Sequence, residues 1–161
     1  MDTLSPTSPV EAEVLRIRGL LEARRFAEAL AAAQTLLRQV PENRDVLYMI
    51  AVSQRYLKRI GDALATLSEL QRLHPAYPRL YQERGHCHVA LRSADPAIEA
   101  FEHAVKLSPC LPASWRALEA LYRIQGCTTD AGKAALRLTA TRNASIAPAG
   151  SPAAIKQCPR S

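Results

Sequence analysis

The stretch from Asp95 to Pro109, DPAIEAFEHAVKLSP, shows how apolar and polar positions alternate along this chain. Ala97, Phe101 and Ala104 fall three or four residues apart, the spacing that puts side chains on one face of a helix. Asp95 reads as the N-cap and Pro96 as the first helical residue, where a missing N–H costs little. Pro109 ends the segment, because the residue before a proline avoids the helical region. The same reading along the chain predicts helices over 9–23, 26–39, 44–57, 60–73, 78–91, 95–107, 112–125 and 129–141. Ser8-Pro9-Val10-Glu11 is a capping box with proline at the first helical position, and Pro78 and Pro112 likewise open helices. Glycine is scarce and β-branched runs are absent, so the expected class is all-α.

The pattern repeats. Pro41, Pro75 and Pro109 stand 34 residues apart, and Ala29, Ala63, Ala97 and Ala131 keep the same period. Leu30, Leu64 and Ile98 align. So do Ala33, Leu67 and Phe101, and then Leu36, Leu70, Ala104 and Leu138. A period in this range marks a solenoid, in which no unit can bury its apolar face alone. Small Gly85 and Ala97 let two backbones approach, Phe101 fills the gap between units, and Ala104 is small at the contact with the following helix.

With that register the chain resembles the tetratricopeptide repeat family, whose units carry W-x2-L-G-x2-Y, then A-x3-F, then P. The third unit supplies Tyr81, Gly85, Ala97, Phe101 and Pro109, with Arg84 and His88 departing from Leu and Tyr. The fourth supplies Trp115, Leu118, Tyr122 and Ala131, with Glu119 at the glycine position. The second supplies Leu47, Ile50, Ala51, Ala63 and Pro75; the first keeps Ala29 and Pro41. The resemblance implies a right-handed superhelical solenoid of about four helix-turn-helix units, at 10–43, 44–77, 78–111 and 112–142 of a domain spanning 9–142. Residues 1–8 and the Ala/Pro/Ser tail 143–161 lack the period and are expected to be disordered. More narrowly, LYMIAVSQRYLKRIGDALATLSEL, YQERGHC and LPASWRALEALYR are similar to the N-terminal repeats of bacterial proteins in which such repeats precede a sulfotransferase domain. That implies a truncated relative or N-terminal portion of such a protein. Its phosphosulfate-binding loop is not matched: Pro159-Arg160-Ser161 follows no apolar strand and lacks the glycine, so no catalytic residue carries over.

Charge and chemistry add little to this picture. The net charge of +6 is compatible with acidic partners or nucleic acid without requiring either, and no block of five like charges occurs. The N-terminus has no basic segment leading into an apolar run, and no apolar stretch reaches membrane-spanning length. A cytoplasmic protein with reduced thiols is therefore expected, its four cysteines having no C-x-x-C spacing. In Gly85-His86-Cys87-His88 the two histidines face opposite sides of a helix and cannot chelate one ion. Nucleotide-binding, zinc-protease and serine-hydrolase motifs are absent. The expectation is no metal, no cofactor and no catalytic activity.

In the family, the first helix of each pair lines a concave surface. The corresponding rows here are Glu11, Val14, Arg18 and Leu21; Asp45, Tyr48, Val52 and Arg55; Arg79, Gln82, His86 and Val89; and Ala113, Arg116, Ala120 and Arg123. Five are arginine and two acidic. The candidate partner-binding residues are Arg18, Tyr48, Val52, Arg55, Arg79, Gln82, His86, Arg116 and Arg123, facing an acidic peptide or protein with an apolar anchor near Tyr48 and Val52. The Lys and Asn with which the chaperone-binding members of the family grip a C-terminal carboxylate are missing from these rows. One tyrosine is too few aromatics for a nucleic-acid track. The function expected is a non-catalytic interaction module.

Overall fold

The computed structural model describes residues 8–144. Eight helices follow one another among them: α1 Pro9–Glu22, α2 Phe26–Leu37, α3 Arg44–Tyr56, α4 Ile60–Leu73, α5 Pro78–Ala90, α6 Ala94–Leu107, α7 Pro112–Ile124 and α8 Thr128–Ala144. They form four antiparallel hairpins stacked in a right-handed superhelical solenoid. Pro9, Pro78 and Pro112 occupy first helical positions as expected. Helix α6 starts earlier than its sequence suggests, with Ser93 rather than Asp95 as N-cap. Pro96 is then its third residue and still needs no partner for its missing N–H, because the first four N–H groups of a helix are unpaired anyway. Helix α8 continues to Ala144, two residues past Arg142.

Every first helix ends in the same way. Arg24, Lys58, Arg92 and Gly126, 34 residues apart, all have positive φ, at 59°, 64°, 57° and 77°. At each turn two backbone bonds run back into the helix, as when Arg25 N–H donates to Leu20 O at 2.9 Å and Arg24 N–H to Leu21 O at 3.0 Å. These are Schellman caps, whose left-handed residue is most often glycine. Three of the four caps here hold a cation instead. Its charge suits the negative end of the helix, while its Cβ makes the backbone conformation costly.

The core is three clusters in series. The first joins Ile17 and Ala33 to Val46, Met49 and Ile50 of α3. The second takes the other side of α3, Leu47 and Ala51, with Ala63, Leu67, Leu80 and Tyr81. The third joins Ala97, Phe101 and Val105 of α6 to Leu118, Leu121 and Ala134. Helices α3 and α6 each present two buried faces and so weld neighbouring units. Phe101 therefore sits between the third and fourth units, fully buried. Ala104 does not face the following helix. It belongs with Leu80 and Tyr81 in the second cluster, because it lies on the opposite side of α6 from Phe101 and Ala97.

Packing between the two helices of a unit trades volume at one repeated pair of positions. The pairs are Ile17 with Ala33, Ala51 with Leu67, and Gly85 with Phe101. A Cβ on Gly85 would lie 2.7 Å from the Phe101 ring, so the largest side chain in the series requires the residue with none. In the fourth unit Ala135 replaces the phenylalanine, and Glu119 can then stand where glycine stood.

Helices α1 and α3, and likewise α3 and α5, touch directly although a helix separates them in sequence. The odd-numbered helices thus form the inner layer and the even-numbered ones the outer. No helix among the described residues is long and apolar enough to cross a membrane.

Candidate functional site

The inner layer carries the expected arginines, but they are not alike. Arg55 of α3 reaches across to Glu83 of α5 through its Nε, and its guanidinium lies 4.2 Å from the Tyr56 ring centroid. Its side chain is 18% exposed and that of Glu83 only 3%. Burial pushes the Glu83 carboxyl above the usual range while the Arg55 charge holds it down. Arg55 is therefore committed to neutralising a buried acid. Arg123, at the register position of Val89 and Arg55, is exposed but bonded through Nη2 to Glu119 Oε1 at 2.7 Å.

Arg18, Arg79 and Arg116 are exposed and make no ion pair or hydrogen bond with a described residue. Gln82 is tied to the next unit, accepting from Ser114 Oγ at 3.0 Å. His86 packs its ring edge-on against Phe101, centroids 5.0 Å apart. Burial, and secondarily the charge of Arg55, lowers its pKa to about 4, so it adds no charge to the surface near neutrality. Val52 lies in a shallow recess with Leu21, Phe26 and Tyr56, to one side of the remaining groove residues.

Tyr48 has a partner that the sequence did not suggest. Tyr77, the residue before α5, meets it edge-on with ring centroids 5.7 Å apart. Arg44 lies over the Tyr77 ring at 4.7 Å and contacts Asp45 at 3.4 Å. The charges of Arg79, Arg44 and Arg18 all act on the Tyr77 hydroxyl, opposing burial and Asp45, which raise its pKa. Burial and the nearby Glu83 lift the Tyr48 hydroxyl well above its ordinary range, and Arg79 and Arg55 oppose them. Three cations and two rings thus converge where α1, α3 and α5 meet. Neither tyrosine hydroxyl has a hydrogen-bond partner among the described residues.

Arg44, Tyr77 and Glu83 were not among the sequence candidates. Glu83 carried a readable signal: it lies 34 residues after Met49, a core position, and an acid there demands a cation. Tyr77 carried a weaker one, standing in register with Asn43 and Leu111 just before each first helix.

The cysteines divide. Cys87 is buried and free, and burial raises its thiol to about 11; Cys127 is exposed and free. Cys110 is disulfide-bonded rather than reduced as expected, and long-range pairing leaves no local spacing to read. Cys158 lies outside the described residues.

The tetratricopeptide repeat family model matches residues 14–78. Among solved structures, TTC0263, a thermophilic protein of this repeat class from Thermus thermophilus, is 20% identical. The match covers 86% of this chain and 84% of that one, with a TM-score of 0.70. The chain folds as a tetratricopeptide repeat protein. MamA from Desulfovibrio magneticus RS-1 is 17% identical over 86% of this chain and 78% of its own, with a TM-score of 0.71. A chain in the structure of Naa15/Naa10 bound to HypK-THB is 19% identical and gives a TM-score of 0.74. There the match covers 84% of this chain but 20% of the other. At these identities the likeness shows the fold. No curated protein matches the chain in sequence. The family match takes in the first two repeats, and the structural matches extend over most of the chain.

Proposed function

We propose that this tetratricopeptide repeat solenoid is a non-catalytic interaction module that binds a peptide or protein along its concave face. The observation that carries the reading is the row of exposed, unpaired Arg18, Arg79 and Arg116 on the inner helices, with Tyr48 between them in the superhelix. Guanidinium forks suit carboxylates, so the partner is one with acidic side chains. Charge sets the encounter rate and register, and apolar contact prolongs the residence time. Affinity capture on the full chain at low and high salt tests this. Retention that weakens as ionic strength rises past the physiological range, where the Debye length is about 8 Å, supports the reading. Retention indifferent to salt, or unaffected by reversing Arg79 and Arg116 to Glu together, overturns it. The second reading, the repeat portion of a sulfotransferase fusion, has the sequence resemblance alone behind it. Turnover of a phosphosulfate donor by the chain would replace the non-catalytic reading.

A further inference from the structure

We infer that the concave face contains one built anion subsite, formed by Arg18, Arg44 and Arg79 around the Tyr48–Tyr77 pair, and that it takes the carboxylate of an aspartate or glutamate side chain from a bound peptide. The inference rests on the concave-face reading and narrows it to one location.

Three observations converge on this place. First, cations from three helices meet there. Arg18 comes from α1, Arg44 from the start of α3 and Arg79 from the start of α5, and all three act on the Tyr77 hydroxyl. Bringing like charges together without a ligand is unfavourable, and among the described residues Asp45 is the one acid that reaches Tyr77 with them. Second, the hydroxyls of Tyr48 and Tyr77 have no hydrogen-bond partner among the described residues, yet both rings are largely packed and fixed edge-on to each other. A held hydroxyl beside guanidinium groups is a ready donor to an oxyanion. Third, the other inner-layer arginines are occupied. Arg55 answers Glu83, and Arg123 answers Glu119.

The net charge selects the ligand. Three arginines less Asp45 leave two positive charges. That suits a monoanionic carboxylate and tolerates its neighbours on an acidic peptide. A nucleic-acid backbone needs cations repeated along its path. Here the inner layer beyond the cluster presents Val89, Ala113 and Ala120 around Arg116. An extended acidic peptide with apolar residues between its acids matches that alternation.

The test uses the full chain and a short fluorescein-labelled peptide rich in Glu with interspersed Leu, read by fluorescence anisotropy. The same peptide with Gln in place of Glu is the neutral probe, and a single-stranded oligothymidine is the nucleic-acid probe. The double variant Arg18→Gln with Arg79→Gln should weaken the acidic peptide by about tenfold or more, the scale of losing charge-assisted hydrogen bonds. Arg38→Gln with Arg137→Gln removes the same charge from the outer helices and should change affinity by less than about twofold. Equal loss in the two double variants would mean diffuse attraction and would overturn the subsite. If Arg116→Gln abolishes binding while Arg18→Gln with Arg79→Gln does not, the subsite is wrong but the concave face still binds. If none of these variants matters, both fail. Equal affinity for the Gln peptide, or tighter binding of oligothymidine, also overturns the carboxylate assignment. Far-UV circular dichroism verifies the fold of each variant. If the double variant is unfolded, Arg18→Gln alone, at an exposed position, decides, with several-fold weakening expected.

Discussion

Replacing Gly85 by alanine should destabilise the protein, although the same change elsewhere in its helices should not. Alanine is favoured over glycine inside a helix by about 1 kcal/mol. Gly19 in α1 has open space where a Cβ would stand, so Gly19→Ala should gain most of that amount. At Gly85 the new methyl would meet Cε1 and Cζ of Phe101 at 2.7 Å and Cε2 at 2.8 Å. Comfortable carbon contacts are about 3.5–4.0 Å, so ring and helix must separate by close to an ångström. The ring cannot simply turn away, because Phe101 is fully buried among Ala97, Leu118 and Leu121. Overpacking of this kind costs about 1–3 kcal/mol, which outweighs the gain in helix propensity. Phe101→Ala alone should cost about 3–5 kcal/mol. In that background Gly85→Ala should turn stabilising, since the obstructing ring is gone. The coupling between the two sites should then be about 1–3 kcal/mol, measured by a double-mutant cycle from urea melts with unchanged m-values. A Gly85→Ala protein as stable as Gly19→Ala, or additive free energies in the cycle, would refute the reasoning.

The remaining expectations concern caps and buried charge. Lys58→Gly and Arg92→Gly should each raise the melting midpoint slightly, because relief of a left-handed Cβ, about 1–2 kcal/mol, exceeds the extra freedom of unfolded glycine. Gly126→Ala should lower it for the same reason. Arg55→Ala should cost about 3–5 kcal/mol by leaving Glu83 charged and buried. Since the folded Glu83 pKa is raised, the folded state binds its proton more readily than the unfolded one, so this term grows as pH falls toward the ordinary carboxylate range. Acidification should therefore rescue part of the Arg55→Ala loss, and denaturant midpoints between pH 7 and about 5 test it. His86 acts in the opposite sense. Its folded pKa, lowered to about 4 from 6.5, makes the unfolded state the better proton binder, so stability drains away as pH falls between those values. His86→Phe should flatten that limb of the stability profile.

The helices and their order were decided by sequence alone. Local rules act within a few residues: prolines start and stop helices, and a small or large residue every 34 positions states which faces must meet. That is why helix ends read from Pro78, Pro112 and Pro109 agree with the structure to within a residue or two. The left-handed caps were invisible, since Arg24, Lys58 and Arg92 carry no turn signature and are held there by the hairpin geometry around them. The surface was legible only as a row of residue types. Which arginine is free depends on who stands opposite, and that is set by the offset between successive units. Arg55 finds Glu83 from 28 residues away, whereas Arg18, Arg44 and Arg79 come together from three different helices. A one-dimensional repeat states what each unit presents; the superhelical stacking of those units decides which charges cancel and which converge.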